Sequence, residues 1–267
     1  MPRAYLTIDD SPSKHTDELT DFLLARKVPA ILFVRGAFME DEAMMAKIVR
    51  AIEKGFVIGN HSYAHDRTSV AGFDSQTAQI LQTQNLIDRS YALAGKLLPK
   101  RFIRFPHMDR GMGGWIIDLD TVPPEYRAFV ENLFWDGLYV ETTAKPPGEL
   151  FRLKDRMQNW LRENGFQKLH TPDVTHPWFV QSEMAQAIDA MYTFSTSDWM
   201  LTPRHKGNWH YKTIDDLKRK IDTDQGLSDV DTAHIILAHD DREDSLEITT
   251  TLVDYFLENG YEFLPIE

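Results

Sequence analysis

The chain has 267 residues, of which 42% are hydrophobic and 26% are charged, and its formal net charge is -12 at pH 7. This composition is ordinary for a folded protein and fits one large domain or two small ones. The acidic excess disfavours a nucleic-acid substrate, because it repels phosphate backbones at long range. The absence of cysteine excludes disulfides, thiolate zinc sites and cysteine nucleophiles. Metal ligands and general acids or bases therefore come from His, Asp and Glu.

Short β-prone runs alternate with segments of helical spacing in the first part of the chain. The predicted elements are strand 4–8, helix 16–26, strand 30–34, helix 42–54, strand 57–59, helix 75–93 and strand 102–105. After residue 106 the pattern loosens, and glycines and prolines become frequent. We interpret residues of roughly 108–152 as an inserted segment, with a helix through 124–133.

Regular alternation returns in the carboxyl-terminal half. The predicted elements there are helix 153–163, strand 166–169, helix 181–191, strand 192–195, helix 214–223, strand 233–237, helix 246–259 and strand 262–265. Strands that alternate with helices favour parallel β/α units. About seven such units predict an α/β fold of the TIM-like barrel type, and no linker divides the chain.

The amino terminus and the apolar runs bear on cellular location. Residues 1–8 lack the apolar stretch of a signal peptide, which predicts a cytoplasmic enzyme. The runs 30–34 and 235–238 have the length of a strand and are too short to span a membrane. We therefore expect no transmembrane segment.

Polar clusters follow several of the predicted strands. They are Asp9-Asp10, His61 to His65, Arg104 to His107, Asp198-Trp199 and His239-Asp240. In parallel α/β folds the active residues lie where strands end and loops begin, at the carboxyl edge of the sheet. The sequence therefore predicts one active site built from these clusters.

Two of the clusters have the spacing of a metal site. His61 and His65 are four residues apart, so on one turn of helix both imidazoles would face a shared metal. A pair of hydrogen-bonded surface histidines is the alternative. Asp9 and Asp10 can share a pocket only where the strand bends, because adjacent strand residues face opposite ways. One would then bind the metal and the other act as a base, or the pair forms a solvated turn that caps a helix.

Five motifs in order resemble those of the NodB-homology polysaccharide deacetylases, which form carbohydrate esterase family four. The segment TIDDSP at 7–12 is similar to the family's TFDDGP, and HSYAH at 61–65 is similar to its second motif, H-[ST]-x-x-H. RFPH at 104–107 resembles the third motif, R-x-P-Y; DW at 198–199 resembles the fourth; and LAH at 237–239 resembles the fifth, L-x-H. The resemblance spans almost the whole chain except the inserted segment.

This resemblance implies one NodB-homology deacetylase domain over residues 1–267 with a distorted (β/α) barrel. It implies one divalent metal, usually zinc, with Co2+, Ni2+ or Mn2+ as alternatives. The implied ligands are Asp10, His61 and His65, with open positions for water and substrate. Such an open site is typical of catalytic zinc.

The resemblance also implies the catalytic roles. Asp9 is the expected general base and Arg104 its partner. His239 is the expected general acid, and Asp198 is expected to raise its basicity. Hydrolysis of an amide needs an activated water, a stabilised oxyanion and a proton for the amine, and these residues with a metal supply all three.

Substrate contacts are expected from His107, Trp199 and Leu237, and three residues depart from the family's motifs. Ser11 replaces a glycine, which predicts a different loop path or a hydroxyl near the metal. His107 replaces a tyrosine whose backbone N-H helps to hold the oxyanion in the family. Ser195 stands where many members carry another acid. We expect intact catalysis and altered specificity.

Other residues outside the motifs are weaker candidates. Aromatic residues of the inserted segment predict either a lid over sugar rings or a packing subdomain; they are Trp115, Tyr126, Trp135 and Tyr139. His170 and His176 are candidates for substrate contact. A group after the fourth motif predicts either a site for an anion such as phosphate or a solvated loop; it comprises Arg204, His205, Trp209 and His210. We expect structural roles for His15 and His234.

The predicted function is removal of an N-acetyl group from an N-acetylated sugar or polysaccharide precursor, such as a sugar nucleotide or a lipid-linked saccharide. A deformylase or cyclic-amide hydrolase on the same fold is one alternative, and a catalytically inactive sugar-binding homologue is another. Two histidines and a carboxylate also describe a non-haem iron oxygenase. That class leaves Asp9, Arg104 and His239 without a role. The oligomeric state stays open.

Overall fold

A computed structural model describes residues 1–135, 146–240 and 245–266 of the chain. Its strands are β1 (Arg3–Ser11), β2 (Ala30–Val34), β3 (Val57–Asn60), β4 (Phe194–Ser195), β5 (Ala233–His239) and β6 (Glu262–Phe263). They form one sheet in the order β3-β2-β1-β5-β4, and β6 pairs with the start of β1. All pairings are parallel. The predicted α/β class with a parallel sheet is confirmed.

Helices connect the strands and cover the sheet. They are α1 (Thr16–Ala25), α2 (Gly36–Met39), α3 (Glu42–Glu53), α4 (Thr68–Leu93), α5 (Arg127–Trp135), α6 (Gly148–Glu163), α7 (Pro177–Val180), α8 (Ile214–Thr223) and α9 (Leu246–Glu258). Local sequence sets several of their ends. The Asp41 side chain accepts from the first N-H groups of α3, and Thr213 with Asp216 forms a capping box on α8. The glycine at 72 has φ 77° and kinks α4 near its start.

Strand side chains alternate between two hydrophobic cores, because successive residues of a strand face opposite sides. Leu6 and Ile8 of β1 pack in the core formed with the surrounding helices. Tyr5 of β1 and Phe33 of β2 pack in a second core with residues from the 108–134 and 169–192 regions. Residues 4–11 of β1 are all buried. Both faces of the central strand are therefore covered, which is typical of parallel sheets.

The edges of the sheet are less regular than predicted. The predicted strands 102–105 and 166–169 are reduced to single bridges, which pair Asn60 with Ile103 and Arg101 with Phe166. Within the described residues, β3 and β4 are not paired with each other. The Ala190 N-H donates to the Ile103 carbonyl across this opening at 2.7 Å. The described sheet is therefore an open path rather than a fully hydrogen-bonded ring.

The predicted helix 181–191 is wrong. Only a 3-10 turn forms there, at Glu183–Gln186, and residues 187–191 are not helical. The N-H groups of Ile188 and Ala190 donate to the Gln158 side chain and the Ile103 carbonyl. Tertiary partners therefore replace the helical hydrogen bonds that the spacing predicted. In the described part of the chain, every helix is too short or too polar to cross a bilayer.

The sheet core generates a stability prediction. Leu32 of β2 has no exposed surface, so Leu32→Ala leaves a cavity and is expected to lower the free energy of unfolding by about 2–5 kcal/mol. Leu97→Ala is the matched control because Leu97 is 93% exposed, and it should change stability by less than about 0.5 kcal/mol. Urea unfolding of both variants measures the difference. Equal losses in the two variants would contradict the packing described here.

Candidate active site

The polar clusters converge on a cavity of about 950 Å³ at the carboxyl edge of the sheet. The predicted site residues that line it are Asp9, Asp10, His61, His65, His107, Trp199, Leu237 and His239. Arg104 and Asp198 are fully buried and contact the lining residues from behind. The structure therefore brings all ten predicted residues together.

The backbone at Asp10 explains how two adjacent aspartates face one cavity. Asp10 has φ 69°, in the left-handed region, at the end of β1. This conformation breaks the alternation of the strand, so Asp10 faces the same cavity as Asp9. The histidine segment reaches its place by a similar route. Ser62 has φ 62° and His65 has φ 66°, so the prediction that both histidines stand on one helical turn is wrong.

Asp10, His61 and His65 form a group whose candidate ligand atoms all lie within 4.8 Å of one another. The His61 Nδ1 lies 2.8 Å from the Arg104 carbonyl oxygen. That bond assigns the proton to Nδ1 and leaves a lone pair on Nε2. Burial lowers the pKa of His65 to about 2, so its imidazole is neutral.

Asp10 Oδ1 completes the fit to a cation. It is buried and accepts no hydrogen bond within the described residues, and it lies 3.3 Å from His65 Nε2 and 3.7 Å from His61 Nε2. A buried carboxylate oxygen without a donor is costly. One carboxylate and two imidazoles are a donor set that zinc and similar divalent ions prefer. The three side chains therefore fit a divalent metal.

Asp9 is held from behind by a buried arginine. The Arg104 guanidinium donates to Asp9 Oδ1 at 2.8 Å and to the Thr7 hydroxyl at 2.9 Å. It also donates to the Ala190 carbonyl at 3.1 Å and stacks over the Phe33 ring. The other oxygen, Asp9 Oδ2, lies 3.7 Å from His61 Nε2. The carboxylate is thus oriented with one oxygen toward the candidate metal group.

His239 and Asp198 form a second buried pair. The His239 Nδ1 donates to Asp198 Oδ1 at 2.7 Å, and the His239 backbone N-H donates to Oδ2 at 2.8 Å. The Thr249 hydroxyl also donates to Oδ2, at 3.2 Å. Burial lowers the pKa of His239, but the adjacent Asp198 carboxylate outweighs burial and raises this pKa to about 10. His239 is therefore protonated at neutral pH and can donate a proton.

The remaining predicted contacts lie around the candidate metal group. His107 has φ 55°, and its ring packs 4.5 Å from His65 and 5.6 Å from Trp115 between centroids. Trp199 lies edge-on to the rings of His205 and Trp209, each at 5.3 Å. These rings form aromatic walls on which a sugar can pack its apolar face. The assigned substrate roles stay predictions.

One of the three motif departures is explained by a residue that the sequence analysis left without a role. The Ser11 hydroxyl donates to Asp240 Oδ2 at 3.0 Å, so it points away from the candidate metal group. Ser13 and Thr16 also donate to this carboxylate, at 2.5 and 2.6 Å. The Asp240 backbone N-H donates to the Asp9 carbonyl at 2.8 Å. Asp240 therefore ties the loop after β1 to the end of β5.

Two signals in the sequence could have identified Asp240. It directly follows His239, and its three hydroxyl donors lie within the first motif or shortly after it. Burial raises the pKa of Asp240 to about 6 despite those donors. Ser195, the third departure, lines the cavity, and its hydroxyl accepts from the Ser197 N-H at 3.2 Å.

The weaker candidates divide between the cavity and other places. Those that line the cavity are Trp115, Arg204, His205 and Trp209.

His176 is buried against His234, with 3.2 Å between ring nitrogens, so its predicted substrate contact is wrong. His170 is exposed in a separate groove, and His210 packs on Tyr211. Tyr126 packs on the second core, whereas Tyr139 and the side chain of Trp135 lie outside the described residues. His15 pairs with Glu18 on the surface.

Comparison with known proteins supports a relation over the first part of the chain and a likeness of fold over most of it. Residues 1–110 match the family model described as polysaccharide deacetylase. A chitooligosaccharide deacetylase of Sinorhizobium fredii is 32% identical over 121 residues, which cover 45% of this chain and 51% of that protein. A peptidoglycan-N-acetylglucosamine deacetylase of Bacillus cereus is 36% identical over 141 residues, which cover 51% and 48%. The chain thus spans about half the length of these relatives.

Solved structures extend the likeness beyond residue 110. The crystal structure of the Bc1960 peptidoglycan N-acetylglucosamine deacetylase aligns with a TM-score of 0.58 at 18% identity, covering 98% of this chain and 85% of that one. At this identity the likeness concerns the fold. It places the segments after residue 110, including those of Asp198 and His239, in a common architecture.

The ligand group generates a prediction on metal binding. His61→Ala and His65→Ala each remove one imidazole, and each should weaken Zn2+ binding at least about 100-fold. Calorimetric titration of metal-free protein and elemental analysis measure the affinity and the metal content. His170→Ala is the matched control, because His170 is exposed outside the cavity. Wild-type affinity in His61→Ala would contradict the assignment.

The second buried pair generates a prediction on pH dependence. Asp198→Asn removes the charge that raises the pKa of His239, while burial still lowers it. His239 then loses its proton at a lower pH, so the alkaline decline of kcat/KM should begin at a lower pH than in the wild type. At pH 8 the value of kcat/KM should fall at least about tenfold. Asp155→Asn is the control, since that side chain is 67% exposed. An unchanged alkaline limb in Asp198→Asn would exclude the proposed pairing.

Proposed function

We propose that the chain is a metal-dependent carbohydrate N-deacetylase of the NodB-homology polysaccharide deacetylase family, carbohydrate esterase family four, because residues 1–110 match the polysaccharide deacetylase model and five motifs occur in the order of that family. The observation that carries this proposal is the placement of Asp9 and His239 at one cavity with the candidate metal group. Their Cα atoms are paired partners across β1 and β5. A base and an acid thus stand beside the same candidate ligands.

The proposed reaction is hydrolysis of an acetamide. Asp9 takes a proton from the attacking water, the new C-O bond forms, and His239 gives its proton to the nitrogen as the C-N bond breaks. Acetate and the amino sugar are the products. A divalent metal bound by Asp10, His61 and His65 would supply Lewis-acid stabilisation of the oxyanion and of the water. Arg104 and Asp198 hold the base and the acid in place.

The proposed substrate is an N-acetylated saccharide. The two curated relatives are named as deacetylases of chitooligosaccharide and of peptidoglycan N-acetylglucosamine. Trp115 and Trp199 line the cavity and offer aromatic faces for sugar rings. A cytoplasmic location, and with it a sugar-nucleotide or lipid-linked precursor as substrate, stays a prediction.

The rival functions differ in what they require of the cavity. A deformylase or cyclic-amide hydrolase uses the same base, acid and metal, so the released acyl group separates it from a deacetylase. An inactive sugar-binding homologue does not need a buried Asp198 to hold His239 protonated. An iron oxygenase leaves that pair, and the pair of Asp9 with Arg104, without a use. The cavity therefore favours hydrolysis.

Acetate release tests the proposal. Protein reconstituted with Zn2+ should release acetate from N-acetylated oligosaccharides, and a chelator should abolish the release. Asp9→Asn should lower kcat at least about 100-fold, because the general base is lost. Asp74→Asn is the matched control, since that side chain is 96% exposed. Formate release from N-formyl sugars without acetate release would move the assignment to a deformylase.

A further inference from the structure

The turn that carries Asp10 is not held by the regular pairing of the sheet. β1 pairs with β5 as far as Asp9, which lies opposite His239. Against β2, the register of β1 shifts between Ile8 and Ser11. Asp10 lies within this irregularity, and its φ of 69° is a conformation that persists only where surrounding contacts impose it. Side-chain contacts around the turn therefore decide where the Asp10 carboxylate stands.

Asp240 makes such contacts from the end of β5. Its backbone N-H donates to the Asp9 carbonyl at 2.8 Å, one residue before Asp10. Its side chain accepts from three buried hydroxyls, the first of which belongs to the residue directly after Asp10. The hydroxyls are those of Ser11 at 3.0 Å, Ser13 at 2.5 Å and Thr16 at 2.6 Å. Bonds of Asp240 thus flank Asp10 on both sides in the chain.

The segment bound by Asp240 is itself fixed to rigid elements. The Ser11 carbonyl accepts from the Arg35 N-H at 2.8 Å, so Ser11 is also tied to the end of β2. The Ser13 N-H donates to the Thr16 hydroxyl oxygen at 2.7 Å, and Thr16 is the first residue of α1. The three hydroxyl donors therefore cannot follow a displaced carboxylate without moving a strand or a helix.

A carboxylate is a costly side chain for this place. Asp240 is 2% exposed, and within the described residues its side chain has hydroxyl partners and no cationic ones. Burial raises its pKa to about 6, because the charged form is poorly solvated. An apolar side chain would fill the same space without that cost. What the carboxylate adds is a set of charge-assisted hydrogen bonds, which are shorter and stronger than neutral ones.

We propose that Asp240 is a positioning residue, which holds the Asp10 carboxylate in place against the two imidazoles of the candidate metal group. Ser11 contributes a hydroxyl that the glycine of the family's first motif lacks, so this chain adds a donor to the tie. Hydrogen-bonded neighbours of this kind orient metal ligands, and their loss typically weakens metal binding. The inference rests on the proposed function for its effect on turnover, whereas its effect on metal binding needs only the ligand group.

Removal of the Asp240 carboxylate tests the inference. Asp240→Ala deprives all three hydroxyls of their acceptor and leaves the backbone bond to Asp9. Calorimetric titration of metal-free protein at pH 8 should show a Zn2+ affinity that is lower by about tenfold or more. Acetate release should show a similar loss in kcat with KM changed less than about threefold, since Asp240 is not among the described residues that line the cavity. Asp240→Asn keeps the size and one acceptor oxygen, so it should recover part of both losses.

Two further measurements report on the position of the ligand rather than on stability. Protein loaded with Co2+ in place of Zn2+ absorbs visible light according to the geometry of its ligands, and in Asp240→Ala this spectrum should change because Asp10 moves. Ser11→Ala removes one hydroxyl and should lower the Zn2+ affinity less than Asp240→Ala does. In the double variant the affinity should equal that of Asp240→Ala, because the Ser11 bond is already lost there.

A largely buried carboxylate elsewhere in the chain is the matched control. The Glu183 side chain is 10% exposed and lies outside the cavity. It accepts from Lys154 at 2.6 Å and from the Asp118 N-H at 2.8 Å. Glu183→Ala should leave the Zn2+ affinity and the Co2+ spectrum unchanged in protein that melting curves show to be folded.

The outcomes separate this inference from the proposed function. Wild-type Zn2+ affinity and Co2+ spectrum in folded Asp240→Ala would overturn the inference and leave the deacetylase intact. Equal changes in Glu183→Ala would overturn it as well, because the loss of any buried carboxylate would then have the same effect. Acetate release from no sugar by the wild-type protein would overturn the proposed function, and the metal measurements would still decide the inference. If Asp240→Ala does not fold, Asp240→Asn and Ser11→Ala carry the comparison, and wild-type affinity in both would overturn the inference.

Discussion

The register of β1 against β2 and β5 is the constraint on which the candidate site depends. β1 pairs with β5 so that Asp9 is opposite His239, and with β2 so that Ile8 is opposite Leu32. Because strand side chains alternate with a period of two, a slip of one residue would turn Asp9 toward the helix-covered core. The buried residues of both faces specify the register strongly. Packing of apolar side chains therefore positions Asp9 and His239 at the same cavity.

Buried polar pairs then hold these side chains in one orientation. Arg104 and Asp198 have no exposed surface, and Asp240 is nearly buried. Arg104 contacts Asp9, Asp198 contacts His239, and Asp240 contacts the loop after β1. Each of the three also has further hydrogen-bond partners. Removing one member of a buried ion pair costs about 3–5 kcal/mol, because the other charge loses its compensation. Such groups keep a cavity polar and preorganised for charge that develops during a reaction.

Local sequence was sufficient for some elements and insufficient for others. Helix 214–223 was predicted with the bounds that the structure shows, and a capping box formed by neighbouring residues marks its start. The helix predicted over 181–191 does not form, because Gln158 and Ile103 take the hydrogen bonds of Ile188 and Ala190. The Ser11 hydroxyl contacts Asp240, which lies far from it in sequence. Interactions between distant segments decided these last two cases.

The sequence by itself determined the α/β class and the order of the motifs, because strand periodicity and motifs are properties of short segments. Through the resemblance of its motifs it also predicted the ten residues that the structure brings to one cavity. Only the tertiary structure decided how Asp10 turns into the cavity, which loop conformation joins His61 to His65, and that Asp240 ties the loop after β1 to the end of β5. These features depend on left-handed backbone conformations and on contacts between residues distant in the chain. Neither leaves a periodic signal, because each is stabilised by packing that exists only after the sheet has formed.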